Sequence, residues 1–200
     1  MNEPNEECIV DFWQQGIISK LPISSSNPNF AKAASQLRDS CYDKSLCLNM
    51  LRQDYNRLFE GEGVPLAPAF ESLYTNDSEY RQKPSTVSDF YNSYGWTSKY
   101  KGKIQDDHLG IELLFLTLLV EKYLVLDDQA CEVEMRNEIR RFIDKHLLSW
   151  IRRWNLKMQE SSITLCYKGI STLIYACIED IYSLCNNTPV IFIQPGYLKN

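Results

Sequence analysis

Histidine is scarce in this 200-residue chain, which has only two, His108 and His146. With no HExxH helix, no C-x-x-C pair and no Asp/His cluster, neither a structural nor a catalytic metal is expected. Glycine is sparse too, at eight residues, and both G-x-x-x-x-G-K-[ST] and G-x-G-x-x-G are missing, so no nucleotide loop is legible. Gly61 and Gly63 precede Val64–Pro65 rather than a helix, which argues against a phosphate cradle. No G-x-S-x-G elbow occurs. Basic charge falls short of acidic charge, with 21 Lys and Arg against 26 Asp and Glu, a net charge of −5. A nucleic-acid binder wants a basic face, so no nucleic-acid partner is expected, whereas a basic peptide is compatible. The longest apolar run is broken by Glu112, Glu121 and Lys122, so no membrane span is expected. The N-terminal MNEPNEEC is acidic and lacks a charged-then-apolar signal, which places the protein in the cytoplasm as an expectation. The seven cysteines are odd in number, and several sit at apolar helical positions. They read as reduced core thiols. No cofactor is expected.

What is present is helical pattern. Apolar residues make up 44% and charged residues 24%, ordinary for one globular domain of this length. The stretch around which the chain is organised is Gln105–Leu119, QDDHLGIELLFLTLL. Leu109, Leu113, Leu116 and Leu119 fall at helical spacing, with Ile111, Leu114, Phe115 and Leu118 on the flanks. A helix apolar on most of its circumference belongs at the centre of a bundle. Asp106 or Asp107 is expected to be its N-cap. Asp107, His108 and Glu112 give this helix a polar mouth, which reads equally well as the start of a capped core helix. Asp107 and His108 also admit an acid/base reading. Adjacent helical residues diverge by about 100°, however, and no nucleophile is singled out. His108, beside a cleft, is expected to contribute little packing.

Taken in order, Glu6–Ile18 is a plausible first helix and Leu21–Asn29 a Pro/Ser/Asn linker. Phe30, Ala34, Leu37 and Cys41 mark a second helix, and Leu48, Leu51, Tyr55 and Leu58 a third. Glu60–Ala69, with two glycines and two prolines, cannot be regular helix. Ser85 is a possible cap for a short helix holding Val87, Phe90, Tyr91 and Tyr94, which Gly95 stops. The central helix should run from about Asp107 to Leu126. Asp127–Asp128 should cap the next, with an apolar stripe of Ile139, Phe142, Ile143, His146, Leu147 and Trp150. His146 on that stripe reads as a satisfied core or interfacial histidine. In WIRRW the tryptophans should pack inward and Arg152–Arg153 face water. A last long helix holds Leu165 to Ile181. The expected fold is all-α, a single bundle-like domain of about eight helices. Its N-terminal half covers about 1–96, a hinge loop about 97–105 and its C-terminal half about 106–186, followed by an extended or disordered tail at 187–200.

Three ordered blocks carry a resemblance. DYNRLFEGEGVPLAPAFESLY (Asp54–Tyr74), DDHLGIELLFL (Asp106–Leu116) and FIDKHLLSWIRRWNLKM (Phe142–Met158) together resemble the TorD/DmsD/NarJ family of cytoplasmic chaperones for molybdenum-containing redox enzymes. The blocks and their surroundings cover roughly Leu48 to Leu184. The family often has a proline two residues before its Asp-His pair, where this chain has Gln105. The resemblance implies an all-α chaperone, monomer or dimer, with no catalytic step. It would bind the twin-arginine signal peptide and precursor of a partner reductase and delay export until cofactor insertion. A basic-then-apolar peptide needs carboxylates beside an aromatic groove. Asp107 and His108, with Glu112 and Glu71, are the candidates for the polar part, and Phe70, Leu73, Tyr74 and Trp96 for the apolar wall. Glu71 and Ser72 read equally well as a polar pair tying the Pro-rich loop to the bundle. Two alternatives stand beside this reading. One is an assembly factor docking on the mature reductase subunit. The other is a weak nucleotide-binding enzyme using Asp107 and His108.

Overall fold

In the computed structural model, residues 4–5, 26–40, 44–60, 63–75 and 86–186 are described. The expected first helix at Glu6–Ile18, the Ser85 cap, Cys8, Cys41 and the tail from 187 lie outside these residues.

Helix α1, Pro28–Arg38, starts inside the stretch expected to be linker. Asn27 is its N-cap, the Asn27 side chain accepts the Asn29 N–H, and Pro28 opens the first turn, where its missing N–H costs nothing. Helix α2, Lys44–Tyr55, runs into a π-helical turn, Asn56–Glu60. A loop and the 3-10 turn Glu71–Leu73 follow. Helix α3 is Thr86–Ser93, and Gly95 closes it in the left-handed region at φ 60°, as a C′ glycine does. The central helix α4, Leu109–Leu124, is shorter at both ends than expected. Helix α5, Gln129–Phe142, is capped by Asp128, whose carboxylate accepts the Cys131 N–H. It passes into a π segment, Ile143–Leu148. Helices α6, Ile151–Ser161, and α7, Leu165–Asn186, complete the chain. The described residues thus hold seven α-helices and one isolated bridge, with no strand. Among them no helix is long and apolar enough to cross a membrane.

The core is a single cluster drawn from both sides of residues 97–105, with Trp150, Trp154, Tyr55, Phe115 and Phe142 among its largest enclosed side chains. Helix α4 buries Leu109, Ile111, Phe115, Leu116 and Leu119, while Leu114 and Leu124 remain exposed. Arg152 and Arg153 face water beside the inward Trp154. Helix α1 lies along α7, so closely that a Cβ on Gly169 would stand 2.7 Å from the Leu37 side chain. Asp54, fully enclosed on α2, accepts the Ile163 and Thr164 N–H groups and the Thr164 hydroxyl at 2.8–3.1 Å. It thereby binds the second helix to the start of the last. Cys47 and Cys166 are buried and Cys177 and Cys185 half-buried. Cys131 is exposed rather than in the core, because it sits on the wet first turn of α5.

Candidate functional site

The Gly/Pro-rich loop before the 3-10 turn forms no element of its own, yet its backbone is fastened step by step. Leu66 and Ala67 donate to the Arg57 and Leu58 carbonyls at 3.1 and 3.0 Å. The Trp154 indole N–H donates to the Ala67 carbonyl at 3.2 Å. The loop then meets the approach to α4. Leu109 N–H donates to the Ala69 carbonyl at 2.9 Å, and Glu71 N–H to the Asp107 carbonyl at 2.9 Å. Phe70 and His108 form an antiparallel bridge between these bonds. Ser72 N–H donates to the Asp107 carboxylate at 3.2 Å. The tie between loop and bundle exists: backbone N–H groups and Asp107 make it at the surface, and the Glu71 carboxylate makes it inside, 3.3 Å from His146, while the Ser72 side chain takes no part in these bonds.

The N-cap of α4 is His108, not Asp106 or Asp107. Its Nδ1 accepts the Gly110 N–H at 3.0 Å. The two aspartates are engaged elsewhere: Asp107 holds Ser72, and Asp106 accepts the Ser88 hydroxyl at 2.7 Å. Gly110 permits the close approach, since a Cβ there would lie 3.2 Å from His108 Nδ1. Burial pushes the His108 imidazole below its ordinary range. The neutral ring therefore accepts at Nδ1 and carries its proton on Nε2. His108 is 9% exposed and packs edge-on to Phe70, with ring centres 5.0 Å apart. It contributes packing, contrary to expectation, because the loop folds over it. Asp107 and His108 serve different partners and form no acid/base pair.

The remaining predicted residues separate into layers. Glu112 is fully enclosed, so it cannot meet a ligand at the surface as expected; it lies on the inner face of α4, beneath the loop. Burial first, then the charges of Glu71 and Asp107, hold its carboxyl well above the usual carboxylate range. Glu71 turns inward, its Oε2 3.3 Å from Nδ1 of the wholly buried His146. Trp150 donates its indole N–H to the His146 carbonyl at 2.6 Å. Tyr74 stacks on Trp150 at 5.6 Å, and burial raises its phenol to about 12. Leu73 points outward, 60% exposed, and Phe70 and Asp107 are half-buried. Trp96 does not join this group: its ring packs against Tyr91 and Phe115 at 4.8 and 5.3 Å, because the chain after Gly95 turns back over α3.

Two hollows flank the loop before α4. One, of about 290 Å³, is lined by Tyr55, Phe59, Pro68, Phe70, Ile104 and His108, with Glu60, Lys103 and Gln105 at its edges. The other, of about 530 Å³, is lined by Ser88, Asp106, Asp107 and residues 101–105. Tyr55, Phe59 and Ile104 were not expected at the site from sequence. The first two sit in the block that carries the resemblance, on a stripe that reads as core. Among the described residues no group of three or more His, Cys, Asp or Glu could hold a metal ion.

The sequence profile of a family described as nitrate reductase delta subunit matches residues 25–155. A curated relative, chaperone protein TorD from Psychrobacter sp. (strain PRwf-1), is 26% identical over 133 residues. That match takes in 65% of this chain and 59% of the relative's length, under two thirds of the latter.

Proposed function

The chain belongs to the nitrate reductase delta subunit family, and from that membership we propose that it is a cytoplasmic maturation chaperone for a molybdenum-containing oxidoreductase. It acts without a catalytic step. It binds the twin-arginine signal peptide of its partner and delays export until the cofactor is in place. The relative described as a TorD chaperone supports the chaperone part of this reading. The observation that carries the peptide part is the position of Asp107. Its carboxylate is half-buried at the junction of α4 with the 3-10 turn, bonded to the N–H of Ser72 next to the outward-facing Leu73, and it lines the hollow that shares residues 103–105 with the Phe70–His108 cleft. A carboxylate adjoining apolar side chains complements a segment that is basic and then apolar. One charge-assisted hydrogen bond to a guanidinium is worth about 1.5–3 kcal/mol. Calorimetric titration with a twin-arginine signal peptide, and with a version carrying lysine in place of both arginines, tests this. Saturable binding to the first and weaker binding to the second supports the reading. No binding to either contradicts it.

A second reading is docking on the mature subunit. It is favoured by the apolar residues left open at the end of α4, Leu124 and Val125, at 71% and 80% exposed. Capture of a partner lacking its signal, lost on changing both residues to serine, separates this from signal binding.

A further inference from the structure

Glu112 is enclosed on the inner face of α4, and neither of its carboxyl oxygens has a hydrogen-bond partner among the described residues. Titratable groups from several elements act on it. Glu71 comes from the 3-10 turn, Asp107 from the approach to α4 and Tyr91 from α3, and His146 of the π segment stands across Glu71. The Trp150 indole lies beside it but directs its N–H to the His146 carbonyl. Glu71 uses one carboxyl oxygen toward His146, and its Oε1 is left unpartnered.

An ionised carboxylate here would be an isolated charge removed from water, a state that proteins escape by neutralising the group. The neighbouring carboxyl of Glu71 acts in the same direction. A neutral Glu112 gains one O–H donor, and Glu71, whose carboxyl acts on Glu112, has in Oε1 an acceptor that lacks a donor. A single proton therefore answers two orphaned groups, and it lies between α4 and the turn that carries Phe70, Leu73 and Tyr74.

We propose that Glu112 is a proton-bearing positioning residue: it docks in its neutral form beneath Glu71, so that seating of the Phe70–Tyr74 turn on α4 takes up one proton. That this turn serves peptide recognition rests on the function proposed above; the proton itself concerns the fold, and its test needs no peptide. The seated state holds a proton that the unfolded chain releases in the ordinary carboxylate range. Stability is therefore lost as pH rises above that range, until Glu112 itself ionises. Gln at this position keeps the neutral shape and removes the linkage.

The test is unfolding free energy of the full chain, measured from about pH 6 to pH 9, for wild type and Glu112→Gln. The expected result is a wild-type stability that falls with pH relative to the variant, with a difference in slope approaching one proton. Glu112→Gln should equal or exceed wild type at the alkaline end. Parallel profiles for the two proteins would overturn the proposal. Should the variant fail to fold, infrared spectroscopy of the wild type decides. A neutral-carboxyl carbonyl band at neutral pH is expected, and its absence would overturn the proposal. Loss of peptide binding with this pH linkage intact would instead remove only the recognition role.

Discussion

His108 closes the first turn of α4 through Nδ1 and meets Phe70 with its ring. Changing it to Ala should cost about 1 kcal/mol from the cap alone. His108→Asn, which retains a capping oxygen, should recover most of that. Because burial holds the folded-state imidazole below its ordinary range, its contribution is fully present above the unfolded pKa of about 6.5. It is lost as pH falls through the folded value. Urea melts at neutral and mildly acid pH should show that acid loss in wild type and not in His108→Asn. That a polar residue caps this helix was legible in QDDHL. Which one does so was not, since three adjacent side chains can all cap. The choice was made by Ser72 and Ser88, distant partners that engage the two aspartates. Glu112 was misjudged for a related reason: helical spacing puts it one turn from His108 but does not say that the loop closes over that face.

At the scale of the element, α4 illustrates how burial divides an apolar helix. Leu116→Ala should cost about 2–5 kcal/mol, since Leu116 is 4% exposed; Leu114, at 42%, should change stability little when truncated. Denaturant unfolding of the pair checks this, and equal effects would mean that α4 is not placed as described. Where α1 crosses α7, Gly169→Ala would press a methyl group against the Leu37 side chain and its backbone N. A loss of about 1–3 kcal/mol is expected. Periodicity identified most of the helices because they carry one apolar stripe, while α4 stood out by being apolar over most of its circumference. It did not separate α5, the π segment and α6, since the stripe from Ile139 to Trp150 runs on through the change in winding. The start of α1 was read as linker because serines, prolines and asparagines that signal a loop also make an N-cap followed by a first-turn proline.

Across the whole molecule, the fold class followed from the sequence because the apolar patterns ahead of the tail had helical period. The assembly did not, because it depends on single polar ties between distant segments. Asp54 joins α2 to the start of α7, and Asn27 and Asn29 join the start of α1 to Glu179. The site is of the same kind: the loop 63–75 is placed by backbone bonds that leave no compositional trace and by single side-chain ties through Trp154, Asp107 and Glu71. Phe70, Leu73, Tyr74, Asp107 and His108 were reachable from the ordered blocks. His146 and Trp150, also in the ordered blocks, read there as core, and packing against Glu71 and Tyr74 joined them to the site. In the function proposed above, Asp107 offers a recognition charge and not merely a loop tie. Asp107→Asn keeps an oxygen for the Ser72 N–H and removes the charge, whereas Asp107→Ala removes both. The most direct test is titration of a twin-arginine signal peptide into wild type, Asp107→Asn and Asp107→Ala, with melting followed in parallel. The expected result for Asp107→Asn is near-native melting with affinity weakened several-fold and a smaller salt dependence than wild type. Asp107→Asn binding as tightly as wild type, with Asp107→Ala only melting earlier, would contradict the claim.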